Sequence, residues 1–199
     1  MTVPEGPVSD RPVSDSPVSG VLKAVANRRS HSKVTAEAPT RAELLPLVAA
    51  AARAADHAGL RPWRLIELRG DARERLGDAL VTASACTGGE AAKLRLKPLR
   101  APLLIGLVAC HRNDTPVQVW EQDAAAAGVA HLLTLLLADA GWGVMWRTGP
   151  HARAEAVRRM HHLAESEELL GWLYVGGVPT KSKAGNRAVV DPADHLSAL

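Results

Sequence analysis

Apolar positions along the chain fall into two periods, one helical and one strand-like, and their order predicts the fold. Val21, Leu22 and Val25 share one face of a helix predicted from Gly20 to Arg28. A polar connection, 29–39, follows. Thr40-Arg41-Ala42-Glu43 has the form of a capping box, and Leu44, Leu45, Leu47, Val48 and Ala52 continue a helix from it, with Pro46 predicting a bend in its second turn. Pro62 to Leu68 reads as a strand. Gly70 ends it, and Asp71-Ala72-Arg73-Glu74 is expected to cap a helix over about 71–85. Residues 86–101 carry Gly88-Gly89 and a run of basic residues, which suits a mobile helix-and-loop segment. The unbroken apolar run Pro102 to Ala109 suits a strand buried on both faces. Val119 to Ala140 is a long helix with little polar surface; a helix apolar nearly all round must be buried, and a dimer interface is a natural place for it. Trp142 to Arg147 is a further strand. Thr148-Gly149-Pro150 predicts the start of a helix reaching about His162, and Leu169 to Gly176 is the last strand. Residues 180–199 read as irregular and polar. Helices interleaved with about four strands, without a Gly-rich strand-to-helix turn, indicate an α+β fold rather than a doubly wound nucleotide fold.

The N-terminal stretch belongs to a different regime. Pro7-Val8-Ser9-Asp10, Pro12-Val13-Ser14-Asp15 and Pro17-Val18-Ser19 repeat one short unit that buries too little apolar area to offset chain entropy. Residues 1–19 are therefore expected to be a disordered tail, and 20–199 one domain. A chain of 199 residues with 47% hydrophobic content can build one real core. The apolar stretch Ala124 to Ala140 is broken by His131 and Asp139, short of a bilayer span, and the N-terminus lacks the pattern of a secretory signal. Cytoplasmic residence is the expectation. Cys86 and Cys110 form no CxxC or metal-ligand pattern and read as buried or half-buried free thiols.

A net charge of +3 is mild, and the cations are spread rather than stacked in a stripe. That argues against nucleic acid and for an anionic small-molecule ligand. There is no Phe, but five Trp lie between residues 60 and 175, most suited to core or interface anchoring. The adjacent histidines His161 and His162 point about 100° apart on a helix and do not converge on a metal. Glu165, Glu167 and Glu168 read as a solvated turn.

Three separated segments carry candidate chemistry. Arg28-Arg29-Ser30 offers two guanidinium forks and a hydroxyl to a phosphate. Asp56-His57-Ala58-Gly59-Leu60-Arg61-Pro62-Trp63 joins a helix end to a strand, and Pro62 should hold Arg61 extended. In Gly141-Trp142-Gly143-Val144-Met145-Trp146-Arg147-Thr148-Gly149 the glycines would let a planar ring approach the backbone. Trp146 stands where a dinucleotide fingerprint needs its third glycine, so that fingerprint is absent.

Taken in this order, with Pro39-Thr40, Arg100-Ala101-Pro102, Trp120-Glu121-Gln122 and Leu173-Tyr174-Val175-Gly176, these segments resemble the nitroreductase family in its small single-domain branch, over about residues 20–192. The resemblance implies a mixed, mainly antiparallel sheet flanked by helices, dimerised through the long central helix, with two FMN sites at the interface. It assigns Arg28, Arg29 and Ser30 to the phosphate and ribityl oxygens. It assigns His57 and Arg61 to contacts reaching FMN from the other subunit, and Trp146, Arg147 and Thr148 to the isoalloxazine ring. Lys181, with Lys183 as competitor, would close on the phosphate, and residues 141–146 match a stretch contacting the nicotinamide cofactor. The implied activity is hydride transfer from NADH or NADPH through FMN to a nitroaromatic, quinone or similar acceptor. No residue is assigned as a nucleophile or proton relay. Asp56, His57 and Arg61 depart from the family pattern, in which Ser, Asn and Gln are usual there, so flavin potential and acceptor preference stay open. Alternatives are a same-fold flavoenzyme of different chemistry (dehalogenation or heterocycle oxidation), a flavin-binding sensor or carrier with poor turnover, and a helical interaction protein without cofactor.

Overall fold

The computed structural model describes residues 20–180 and 190–198. The expected disordered tail, 1–19, and Lys181 and Lys183 lie outside the described residues. Four strands form one sheet in the order β1 (Trp63–Leu68), β2 (Leu103–Cys110), β4 (Glu167–Gly177), β3 (Trp142–Arg147). Every ladder between them is antiparallel, and among the described residues the parallel component is a single bridge from Ser30 to Val144. The helices are α1 (Gly20–Asn27), α2 (Arg41–Ala51), α3 (Asp71–Ser84), α4 (Gly88–Arg95), α5 (Val119–Asp139) and α6 (Glu155–Met160).

The period-2 pattern divides the sheet between two cores. Leu103, Ile105 and Leu107 of β2, with Leu173 and Val175 of β4, face α2 and α5, where Leu44, Val129, Leu133 and Leu137 complete the packing. Leu104 and Val108, with Leu169, Trp172 and Tyr174, face α3 and α6 with Leu76, Leu80 and Val157. This is why the 102–109 run has no polar position: both faces are covered. Leu169 and Trp172 share a face although three residues apart, because β4 carries a bulge. Leu107 pairs with Gly171 and Val108 with Leu169, leaving Leu170 as the extra residue.

α5 buries Gln122, Ala125, Ala126, Val129, Ala130, Leu133, Thr134 and Leu137 within its own chain. Its opposite side keeps Trp120 and His131 exposed. Thr40 and Glu43 make the expected capping box on α2, and the helix continues through Pro46.

Several sequence expectations are corrected. Asp71 does not cap α3: Gly70, at φ 48°, takes the N-cap position and Asp71 lies in the first turn. Residues 86–101 form α4 and a 3-10 turn at Lys97–Arg100, both packed on α3. No helix starts at Thr148-Gly149-Pro150. The segment winds through i,i+3 bonds, Gly149 to Ala152 and His151 to Ala154, which carry Ala152 into the core before α6 begins at Glu155. The C-terminal stretch holds a short 3-10 turn, Pro192–His195.

Glu167 is not in a solvated turn; it opens β4, paired with Cys110. Its carboxylate accepts from Arg64 Nε at 2.6 Å and Nη2 at 2.8 Å, from the Ala164 amide at 2.8 Å, and from the Cys110 thiol. The Arg64 fork, against the opposing effect of burial, holds this carboxyl at about 2, while burial pushes the Cys110 thiol up to about 11. A lowered carboxyl pKa adds stability that is full above about pH 4.5 and is lost as pH falls toward 2. Arg64 is 38% exposed, so solvent screens the pair. Glu167→Gln should therefore lower unfolding free energy at neutral pH by roughly 2 kcal/mol. In urea titrations the gap between wild type and variant should close below pH 4.5; equal midpoints at pH 7 would remove the network from the stability argument.

Candidate functional site

A cavity of about 930 Å³ opens between α3, α4 and the 97–100 turn on one side and the ends of β3 and β4 on the other. Trp146, Arg147 and Thr148 line it, with Met145, Trp172 and Tyr174 from the sheet. Trp146 and Trp172 belong to opposite faces of the sheet, Trp146 packing toward α5 and Trp172 toward α3 and α6, and each indole is fixed by a hydrogen bond. The bulge at Leu170 presents a carbonyl that accepts the Trp146 indole N–H at 3.1 Å, and the Trp146 ring meets His131 of α5 edge-on at 5.1 Å. On the other face the Trp172 indole donates to His161 Nε2 at 3.0 Å. His161 is buried, and its Nδ1 lies 2.8 Å from the Val157 carbonyl, so the geometry requires the proton on Nδ1 and the lone pair on Nε2. Burial holds this imidazole below its usual pKa, which keeps it neutral.

Arg147 stands at the centre of the site. Its Nη2 donates to the Ser32 carbonyl at 3.3 Å, and its guanidinium lies 5.2 Å from the centroid of the Tyr174 ring. Its Nε is buried without a hydrogen-bond partner among the described residues.

Arg28, Arg29 and Ser30 do not line this cavity; Ser30 bridges to Val144 of β3, and Arg28 and Arg29 precede it. His31 donates to the Val144 carbonyl at 2.9 Å, Thr35 donates to Gly177 and Gly177 to Glu37, which ties 30–37 to β3 and β4. Gly143 and Gly176 have no room for a side chain there, since an added Cβ would lie 2.9 Å from Val34 Cγ1 and 2.7 Å from the Thr35 carbonyl respectively. Arg28 Nη1 lies 3.4 Å from Ser30 Oγ.

His57 and Arg61 are elsewhere in the chain's own fold. His57 Nδ1 lies 2.9 Å from Glu121 Oε1, and the other oxygen of that carboxylate accepts the Gln118 amide at the start of α5. Trp146 instead touches His131, about 15 Å further along the same helix. Arg61 is not extended as Pro62 suggested: its φ is 51°. The Asp56 carboxylate, 2.6 Å from the Arg61 amide, holds it there, in a turn that also places Ala58 and Gly59 at positive φ.

Trp172, Tyr174, Lys93, Lys97, Arg100 and His151 also line the cavity, and the sequence assigns none of them a role in the site. The helical i, i+4, i+7 spacing of Lys93, Lys97 and Arg100 was the available signal. Among the described residues no group of three or more His, Cys, Asp or Glu is placed to hold a metal.

Comparison with known proteins agrees with this arrangement. The family model described as "Nitroreductase family" matches residues 25–177. YdjA of Escherichia coli (strain K12), whose name proposes an NAD(P)H nitroreductase, is 31% identical over 179 residues, 88% of this chain and 97% of that one. The crystal structure of a nitroreductase-like family protein from Bacillus cereus superposes with a TM-score of 0.78 at 22% identity, covering 92% of this chain and 98% of the other. A mutant of NfnB from Sphigopyxis sp. strain HMH, described as an FMN and NADPH-dependent nitroreductase, gives a TM-score of 0.71 at 19% identity, with 88% and 96% covered. The two-core antiparallel sheet, the family match over most of the chain and the whole-length relative together establish that this chain belongs to the nitroreductase family of oxidoreductases.

Proposed function

We propose that the protein is an FMN-dependent NAD(P)H oxidoreductase that works as a homodimer with FMN between the subunits. The observation that carries this reading is the aromatic, cation-rich cavity lined by Trp146, Arg147 and Thr148, with the Arg147 guanidinium over the Tyr174 ring. A flat ring system with carbonyl oxygens and a phosphate fits such a donor set. Trp146, Arg147 and Thr148 would line the ring, and Arg28, Arg29, Ser30 and Lys181 would hold the phosphate and ribityl end. When bound, FMN would take a hydride at N5 from NADH or NADPH and return the electrons to a small acceptor such as a nitroaromatic or quinone, in a ping-pong exchange. The chain's own part is to bind, to orient and to place positive charge beside the ring through Arg147.

His57 and Arg61 would serve the partner subunit's flavin, which accounts for their distance from Trp146 within one chain. Exposed apolar side chains support the dimer. Val21, Leu22 and Val25 of α1 are 69%, 61% and 51% exposed, and Trp120, at the start of α5, is 70% exposed. α1 packs on α5, so these groups lie on neighbouring elements. Cytoplasmic residence is part of the proposal; the free thiols Cys86 and Cys110 suit a reducing compartment. Among the described residues no helix is long and apolar enough to cross a membrane.

The test is the visible spectrum of the purified chain after FMN loading and desalting. Flavin bands near ~370 and ~450 nm at about one FMN per subunit, bleached by NADH or NADPH, are the expected result. A colourless protein without FMN affinity would overturn the reading. Bound flavin that neither nicotinamide reduces would indicate a sensor or carrier instead.

A further inference from the structure

One wall of the cavity has a character that the cofactor alone does not require. Glu90, Lys93, Lys97 and Arg100 succeed one another along α4 and the 97–100 turn, and all line the cavity. The neighbouring Arg95 faces elsewhere and pairs with Asp78 at 2.6 Å. Lys93, Lys97 and Arg100 form no ion pair among the described residues. Arg147 and His151 add to the same cavity, where Glu90 is the one acidic lining residue among those described. Glu90, three residues before Lys93, offsets only part of this charge. Like charges gathered on a concave wall raise the local potential and hold an anion there.

We propose that Lys93, Lys97 and Arg100 form an anion-recognising wall, which selects a second substrate carrying a phosphate or carboxylate over a neutral counterpart. The inference rests on the flavoenzyme reading above and specifies the substrate class of that same site. The cofactor's phosphate has its own candidates in Arg28 and Arg29, which adjoin Ser30 at the β3 edge. The helical wall is therefore left to the molecule that exchanges electrons with the ring. The anionic group has two possible sources: the extra phosphate that distinguishes NADPH from NADH, or an acidic acceptor.

The test compares the FMN-loaded wild type with the variant Lys93→Gln/Lys97→Gln/Arg100→Gln. Four substrates serve: NADPH against NADH for the reductive half, and para-nitrobenzoate against para-nitrobenzyl alcohol for the oxidative half. The expected result is a fall of about 10-fold or more in kcat/KM for one anionic member relative to its counterpart, with FMN affinity within about twofold of wild type. The pair that responds identifies the source. Unchanged ratios in both pairs overturn the proposal. So does a parallel loss of FMN affinity, which would assign the wall to the cofactor's phosphate. A second readout does not depend on turnover: NADP+ and para-nitrobenzoate are titrated against the fluorescence of Trp146 and Trp172. Saturable quenching in wild type, weakened in the variant, supports the wall even if the chain binds no flavin; the absence of quenching by either anion overturns it. The single variant Lys97→Gln, with its thermal midpoint measured alongside, separates a lost charge from a lost fold.

Discussion

Gly171→Ala is expected to destabilise the protein by roughly 3 kcal/mol, lowering its thermal midpoint by about 10 °C. Two independent costs combine. Gly171 sits at φ 119°, a conformation that side-chain-bearing residues rarely adopt. An added Cβ would also lie 2.5 Å from the Arg147 carbonyl and 3.0 Å from Trp146 Nε1. The first neighbour is backbone, at the last paired residue of β3, so it cannot move aside without opening that end of the β3–β4 ladder. Because the displaced residues are Trp146 and Arg147, flavin affinity should fall together with stability. Gly89→Ala is the control. Its Cβ meets nothing within 4 Å, and it lies inside α4, where alanine is the better helix former. A Gly171→Ala protein melting with the wild type would refute the close packing at the bulge.

The second large effect concerns the ligand rather than the fold. Arg147→Gln should weaken FMN binding about 10- to 100-fold, the range for losing a charged hydrogen-bond partner. The ligand-free midpoint should move little by comparison, since among the described residues the hydrogen bond that Arg147 gives the chain is one 3.3 Å contact to Ser32. Arg147→Lys should not restore binding, because a point charge lacks the planar fork and stacks less well over Tyr174. Flavin fluorescence titration checks both. Undiminished affinity in Arg147→Gln would place the cofactor elsewhere than beside β3.

Much of the fold could be read from the sequence because it rests on local patterns. The 102–109 run, the Thr40–Glu43 box and the long apolar helix each carry their own signal, and each appears as β2, the cap of α2 and α5. The departures share a different cause: each is decided by a residue distant in sequence or by a side chain out of view of the pattern. Glu167 looked solvated because its partner, Arg64, is 103 residues away. Arg61 looked extended because Pro62 was visible and the Asp56 carboxylate on its amide was not. Thr148-Gly149-Pro150 has the composition of a helix start, yet the burial of Ala152 decides otherwise. In the site, the 146–148 segment lines the cavity, while the 28–30 segment reaches the same strand through the bridge from Ser30 to Val144. The wall from α4 was not legible, since a basic helical stripe ordinarily means a solvated face, and only the tertiary fold turns it toward a cavity.

The extra residue in β4 divides that strand into two reading frames. Before it, odd-numbered Leu169 belongs with α3 and α6; after it, even-numbered Trp172 and Tyr174 do. Shortening the strand by one residue anywhere else would turn one part of it inside out, exchanging core for site. At Leu170 alone the chain could lose a residue and keep every remaining side chain on its present face. What would go missing is the carbonyl beneath Trp146. The strand thus carries a residue that its pairing does not need, and the Trp146 indole is where that surplus is used.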